Sequence, residues 1–292
     1  MTAGPARRQA GALLNLPMGI RMDEKTHRYT WQGKPLSGGS ISGISKIADG
    51  DCFGVASGWA QKTIRQELSA QPMAALKMLA SATPEVMKKW AMEIASAPNR
   101  ARDVAAETGN LVHAHAQAVC EHLVEVSSTD EFGLPGSMPA LPEGEGRAAC
   151  EAVSKFIERH ISPVAAEVRL LFWPPTVGGN PPEDTPIPGT CDLVCRLQDG
   201  GLCVLDWKTV NTIRAVKASH VAQLAAYGEA LQQRGNKIDA LILVQVERTS
   251  GRLEASRFDH TVAAADLFRL CLAIHQWRLP ASTNLEEEKN YG

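Results

Sequence analysis

The chain lacks most of the signatures that would assign it a function at a glance. None of its seven cysteines stands in a CxxC pair and the count is odd. Disulfides, a zinc site and an iron–sulfur cluster are therefore not expected. Buried free thiols in a reducing, cytoplasmic setting account for Cys120, Cys191, Cys195, Cys203 and Cys271, which fall inside predicted helices and strands. No apolar run approaches the ~20 residues that span a bilayer, so no membrane association is expected. A GxxxxGK[ST] loop is missing, which argues against a bound nucleotide and ATP-driven motion. Neither sign of charge dominates: 30 Lys and Arg oppose 32 Asp and Glu, for a net charge of −2. Any nucleic acid must then be held by a local patch or by bound cations rather than a global basic field. The first 18 residues carry two arginines and a short apolar patch broken by proline and glycine. They make a poor signal peptide and read as a flexible arm.

What is present is ordinary for a soluble globular protein: 292 residues, 44% hydrophobic and 21% charged. That is ample for a sizeable core. RMDEKTHRYTWQGKPLSG (21–38) alternates around two turn signals and predicts a small β-meander. A helical pattern follows from Val55 to Val126. It contains a start at Thr83-Pro84-Glu85, with Thr83 as N-cap, and a second start near Asn99. Residues 127–142 are a loop rich in proline, glycine and serine, and 144–161 an amphipathic helix ended by Pro163. Strands are then predicted at 164–173, 189–197 and 202–208, a helix at 219–235, strands at 239–248 and 252–258, and a helix at 261–277. The expected fold is α/β, a mixed central sheet of about five strands flanked by helices, with a helical N-terminal elaboration and the small meander. The expected organisation is an arm (1–18), a hairpin and helical segment (19–142), a core (143–280) and a polar tail (281–292).

LCVLDWKTV (202–210) carries the chemistry. Alternation in a strand puts Asp206 and Lys208 on one face and Cys203, Leu205 and Trp207 on the other. A two-residue loop at Asp199-Gly200 would set Asp192 and Asp206 on opposite faces. A three-residue loop, Asp199-Gly200-Gly201 with Gly201 left-handed, pairs Gln198 with Leu202 and Asp192 with Lys208, and brings Asp192, Asp206 and Lys208 together. Two carboxylates at close range repel unless a cation neutralises them. Hard oxygen ligands of this kind suit Mg²⁺ or Mn²⁺, with the Trp207 backbone carbonyl as a further ligand. A lysine beside such a metal holds or helps deprotonate an attacking water.

GTxD at Gly189–Asp192, then VLDWKT at Val204–Thr209, then QxxxY at Gln223–Tyr227, resembles the PD-(D/E)XK nuclease superfamily, in particular its RecB-like and phage-type exonuclease branch. The resemblance implies a restriction-endonuclease-like core and a Mg²⁺- or Mn²⁺-dependent DNA exonuclease acting on linear ends, in phage or prophage recombination or DNA repair. It assigns Asp192, Asp206 and Lys208 as catalytic acids and lysine, with Glu167, Gln223 and Tyr227 beside them. His113, in a Gly109-Asn110-Leu111-Val112-His113 setting, becomes a metal ligand with Asp192 and Asp206. Asparagine stands at 110 where that branch has threonine, and the literal proline-aspartate is absent. His115 is the competing histidine on the same helix, and His220 a weaker candidate to contact phosphate. Basic residues Lys62, Arg65, Lys88, Lys89, Arg100 and Arg102 read chiefly as solvated helix faces, and Trp59 and Trp90 as core anchors. Partners implied are DNA and a single-strand annealing or helicase protein. The alternatives are an endonuclease on the same fold, and a non-catalytic DNA-binding or helicase–nuclease assembly subunit.

Overall fold

A computed structural model describes residues 14, 16–23, 26, 28–37, 39–49, 66, 70, 83–128, 137–174, 186–259 and 265–275. Most of the expected arm, Cys52, Trp59, Lys62, Arg65, residues 129–136 and 175–185 of the two proline-rich loops, and the tail lie outside them. The chain divides into two compact units, Asp51–Leu111 and the remainder, Met1–Gly50 with Val112–Gly292.

In the larger unit, strands β1 (Ile20–Asp23), β2 (Arg28–Trp31) and β3 (Lys34–Pro35) form the expected antiparallel meander. A short helix α1 (Ile41–Ser45) follows. It is capped by Ser40, whose hydroxyl accepts the Gly43 N–H, and runs into a 3-10 turn at Lys46–Asp49. After the long helix α2 (Pro84–Ser128) come α3 (Arg147–His160), β4 (Ile161–Phe172), β5 (Ile187–Leu197), β6 (Leu202–Val210), α4 (Ala218–Gln232), β7 (Ala240–Glu247) and β8 (Leu253–Asp259). Residues 265–275 are helical. The main sheet has the order β4-β5-β6-β7-β8, antiparallel except for the parallel β6–β7 pair that α4 connects.

Each face of this sheet buries its own apolar layer. Leu170, Phe172, Val204, Leu241 and Leu243 pack with Leu224, Ala225 and Tyr227 of α4, Ile41 and Ile44 of α1, and Phe268. Leu193, Cys195, Cys203, Leu205, Trp207 and Val244 pack with Val112, Ala116 and Val119 of α2 and Val153 and Ile157 of α3. Burial on both sides explains why β6 and β7 are nearly continuous apolar runs. The meander docks through Ile20 and Tyr29 on Leu171, with Trp31 edge-on to Trp173 at 5.4 Å. The six described cysteines are free and buried, as expected. No helix among the described residues is long and apolar enough to cross a membrane.

Two sequence expectations are corrected. The helix expected to restart near Asn99 is continuous from Pro84 to Ser128, with Pro98 inside it. A proline there removes one intrahelical donor. Nearby, Ser96 Oγ and Arg100 Nη1 both donate to the Glu93 carbonyl. Thr83 caps this helix as expected, accepting the Val86 N–H. In the smaller unit Lys88, Lys89, Arg100 and Arg102 are exposed, matching the solvated-face reading. The second correction concerns Pro163, which does not lie in a connection: β4 begins at Ile161 and runs through it, with a register shift between Pro163 and Ala165. β4 is an edge strand, where a missing N–H is tolerated.

Candidate active site

The β5–β6 hairpin differs from the expected one by one residue. Leu197 N–H donates to the Gly201 carbonyl, so the three-residue loop is Gln198-Asp199-Gly200, and Gly200 is the left-handed residue at φ 83°. Leu193 therefore faces Leu205, and Asp192 falls opposite Asp206 rather than Lys208. A two-residue difference keeps the parity that sets the two aspartates together, while the alternation of β5 itself breaks at Asp192, with Cys191 and Leu193 packed in opposite layers. The β5–β6 ladder stops at Leu193 and Leu205; beyond that, β5 continues against β4 and β6 against β7. The resulting fork holds the polar residues.

Asp192, Asp206, Lys208 and His113 meet there. His113 Nδ1 lies 3.4 Å from Asp192 Oδ2, and the same oxygen accepts the Trp207 main-chain N–H at 2.8 Å. Lys208 Nζ lies 2.5 Å from Asp206 Oδ2, yet the contact lacks hydrogen-bond alignment and leaves that buried oxygen without a donor. Asp206 has only 2% of its side chain exposed. Burial, reinforced by the charge of Asp192 and opposed by Lys208, pushes its carboxyl up to about 6. Burial acts the same way on Asp192, but His113, Lys208 and the Trp207 N–H outweigh it and hold that carboxyl below its ordinary value. Burial would also strip His113 of its proton; the charge and hydrogen bond of Asp192 reverse this and raise it to about 9. Lys208 is likewise held cationic against burial by Asp206 and Asp192. Two like carboxylates are thus driven apart in pKa by their surroundings, the pattern of sites that do acid–base chemistry.

The other expected site residues are placed as follows. Glu167, on β4, lies across from Asp192, where the ladder skips both residues, and its φ of 49° is left-handed. A non-glycine residue held there costs about 1–3 kcal/mol, and such outliers cluster at functional sites. On α4, Gln223 Nε2 donates to the Tyr227 hydroxyl at 2.9 Å. Burial, with Asp206 and Asp192 nearby, raises that phenol well above its ordinary value. The GTxD glycine serves this helix: a Cβ on Gly189 would lie 2.7 Å from Tyr227 Cε1 and 2.9 Å from Ile41 Cδ1. His115 is not in the site. It turns to Ser154 of α3 at 2.9 Å and anchors α2. His220 is held down to about 4 by burial, Lys208 and Lys217, with its Nδ1 buried and unpartnered.

Sequence reasoning missed Gln245. It lies beside Lys208 in the parallel register, is 5% exposed, and holds the Arg214 backbone through both amide ends, Nε2 to the carbonyl at 2.7 Å and Oε1 to the N–H at 3.5 Å. Glu247 adds a bond from the Ile213 N–H at 3.1 Å. The connection from Lys208 to α4 is thereby fixed to β7. A polar residue inside the apolar run ALILVQVE is the signal that marks it.

Among the described residues no three His, Cys, Asp or Glu side chains already close a ligand set. The carboxylates stand instead in pairs, one with His113 and one with Lys208. The donor chemistry nevertheless fits a hard divalent cation: two buried carboxylates on one face, one keeping an oxygen with no hydrogen-bond donor.

Comparison with known proteins agrees with this geometry. The family model described as PD-(D/E)XK nuclease superfamily matches residues 87–281, more than half of the chain. No curated protein matches. A solved structure described as "Crystal structure of SSO0001" is 22% identical over 38% of this chain and 50% of its own, with a TM-score of 0.30, so the chain spans half of that protein. A mixed five-stranded sheet that forks at two aspartates and a lysine, and a family match that contains all of it, have one conclusion: the chain belongs to the PD-(D/E)XK nuclease superfamily.

Proposed function

We propose that the chain is a Mg²⁺- or Mn²⁺-dependent deoxyribonuclease that hydrolyses phosphodiester bonds from DNA ends, leaving 5′-phosphate and 3′-hydroxyl products. The observation that carries this reading is the meeting of Asp192, Asp206 and Lys208 at the β5–β6 fork, with His113 against Asp192. Asp192, Asp206, His113 and the Trp207 carbonyl would hold the cation. Bound there, it would supply a water of lowered pKa and neutralise charge on the phosphoryl group. Lys208, kept cationic by the two aspartates, orients the attacking water and offsets the developing negative charge. Glu167 supports the water or the metal from β4. Gln223 and Tyr227 form a polar wall on α4 against which the scissile phosphate is set. Attack on a terminal rather than an internal bond is supported by the GTxD, VLDWKT and QxxxY series and its likeness to phage-type exonucleases. A role in recombination or repair, with an annealing or helicase partner, rests on the same likeness.

The test is degradation of end-labelled linear and covalently closed circular DNA, single- and double-stranded, with Mg²⁺, Mn²⁺ or EDTA and Lys208→Ala alongside. Metal-dependent loss of linear DNA alone, abolished in the variant, is the expected result. Cutting of circles would make the protein an endonuclease. Binding without cleavage under either metal would favour the non-catalytic reading.

A further inference from the structure

The connection from β6 to α4, residues 211–217, is tied down along its length. Arg248 N–H donates to the Val210 carbonyl at 3.0 Å, and Ile213 N–H donates to Glu247 Oε1 at 3.1 Å. Gln245 takes both main-chain groups of Arg214: its Nε2 donates to the carbonyl at 2.7 Å and its Oε1 accepts the N–H at 3.5 Å. Gln245 pairs with Lys208 in the parallel ladder, on the face that carries Asp206, so Arg214 stands at the same end of the sheet as the site. An amide that is 5% exposed in an otherwise apolar strand is unfavourable unless bonded, and both of its ends go to this one residue. The side chain of Arg214 is on the outside. It is exposed, and among the described residues the bonds of Arg214 are those of its main chain. Glu247, the acid that holds Ile213, accepts the Ser250 hydroxyl with its other oxygen at 2.6 Å, and the cation acting on it is Arg252. Lys217 ends the connection. It is 65% exposed and 3.8 Å from Asp49, whose carboxylate already accepts the Ser219 N–H at 3.0 Å and hydroxyl at 2.6 Å. His220 feels the charges of both Lys208 and Lys217, which brings Lys217 to the same place.

Resting on the nuclease reading above, we propose that residues 211–217 are a preorganised phosphate clamp: Arg214 and Lys217 each hold a backbone phosphate of the DNA beside the scissile one, and Gln245 fixes the backbone from which Arg214 reaches. A chain of net charge −2 has no global field to hold a polyanion, so its grip must come from a local group of cations. The guanidinium fork suits this, because it meets two oxygens of one phosphate at once. With the main chain of Arg214 already fixed on both sides, less freedom is lost when the phosphate arrives. A cation that only kept a loop soluble would need no buried side chain to hold its own main chain in place.

The test uses the full chain as wild type, Arg214→Ala, Arg214→Lys, Lys217→Ala, the double alanine variant, Gln245→Leu, and Lys155→Ala as a control at a surface lysine paired with Glu151 on α3. Binding of a fluorescent linear duplex is read by anisotropy in EDTA, from about 50 to about 200 mM salt, and its cleavage in Mn²⁺ by steady-state kinetics. Arg214→Ala is expected to bind about tenfold more weakly at about 0.1 M salt and to lower the slope of log affinity against log salt by about one. Its KM should rise with kcat at saturating DNA unchanged. Arg214→Lys should keep the slope, since it keeps the charge. Lys217→Ala should resemble Arg214→Ala, and the losses should multiply in the double variant, as contacts to separate phosphates require. Gln245→Leu should bind more weakly at an unchanged slope, because both cations remain on a looser loop. Arg214→Ala that matches Lys155→Ala in affinity and slope overturns the inference. So does a double variant no weaker than either single, Gln245→Leu that binds as wild type does, or a fall in kcat with KM unchanged. Should Arg214→Ala fail to fold, Arg214→Gln decides by the same criteria. A wild type that binds DNA but cuts nothing in Mn²⁺ or Mg²⁺ overturns the nuclease reading, and the salt slopes then judge the clamp alone. A wild type that neither binds nor cuts DNA overturns both.

Discussion

The main-chain N–H of Trp207 donates to Asp192 Oδ2, so the acid of one strand is bonded to the backbone of the next where the ladder between them has ended. Asp192 is both a candidate ligand and a structural acceptor, and the two roles separate by substitution. Asp192→Asn keeps an oxygen for the N–H and removes the charge; Asp192→Ala removes both. Cleavage should be lost in each; both should lose the charge partner of His113 and Lys208, and the alanine variant should be destabilised by about a further 1–3 kcal/mol for an orphaned buried donor. Urea unfolding distinguishes them. Equal destabilisation of both variants would show that the His113 pair, not the Trp207 bond, stabilises the fork.

Asp206 keeps a buried oxygen without a hydrogen-bond donor, facing Lys208. A divalent cation bound there would raise the melting temperature, since a ligand that binds only the folded state stabilises it by mass action. Wild type should melt several degrees higher in millimolar Mn²⁺ than in EDTA, and Asp206→Asn should show no such difference. A persistent shift in the variant would move the cation elsewhere.

Gly189 leaves no room for a side chain between Tyr227 and Ile41. Both neighbours are buried ring and branched-chain atoms, not flexible ends. Gly189→Ala should destabilise the protein by about 1–3 kcal/mol, the range for overpacking a filled core. Thermal unfolding measures this. A neutral substitution would mean that α1 or α4 shifts freely.

Gln245 holds the Arg214 backbone at both amide ends. Gln245→Leu preserves volume and deletes both bonds, at a cost of about 0.5–1.5 kcal/mol for each. The connection 211–217 should then be cut by trypsin at Arg214 or Lys217 faster than in wild type. Unchanged cleavage there would assign its order to the Glu247 bond instead.

His220 sets a pH dependence of known sign. Its folded value of about 4 lies below the ordinary value of 6.5, so the unfolded chain binds more protons between those limits. Stability from the neutral imidazole is present above about pH 6.5 and falls as pH drops toward 4. Melting temperatures from pH 7.5 to 5 should decline more steeply in wild type than in His220→Gln. Coincident slopes would place the imidazole in solvent rather than against Lys208 and Lys217.

Much of this site was legible in the sequence because its logic is local. Alternation alone put Asp206 and Lys208 on one face and Trp207 on the other, and both cores respect it. Spacing alone put Gln223 and Tyr227 a turn apart, where they bond. Turn chemistry required a left-handed glycine at the third loop position. Two adjacent glycines satisfied that requirement equally, and only the folded ladder chose Gly200 over Gly201. The continuity of α2 through Pro98 was likewise hidden, since a proline's local penalty does not reveal whether the rest of the helix outweighs it. Contacts that cross long stretches of chain were invisible. Tyr29 meets Thr190 from 161 residues away, and Gln245 reaches Arg214 across a helix. Periodicity fixes which way a side chain leaves its own strand, because that depends on backbone geometry at neighbouring residues. Which distant group it meets depends on how strands and helices pack, and that was decided only in the tertiary structure.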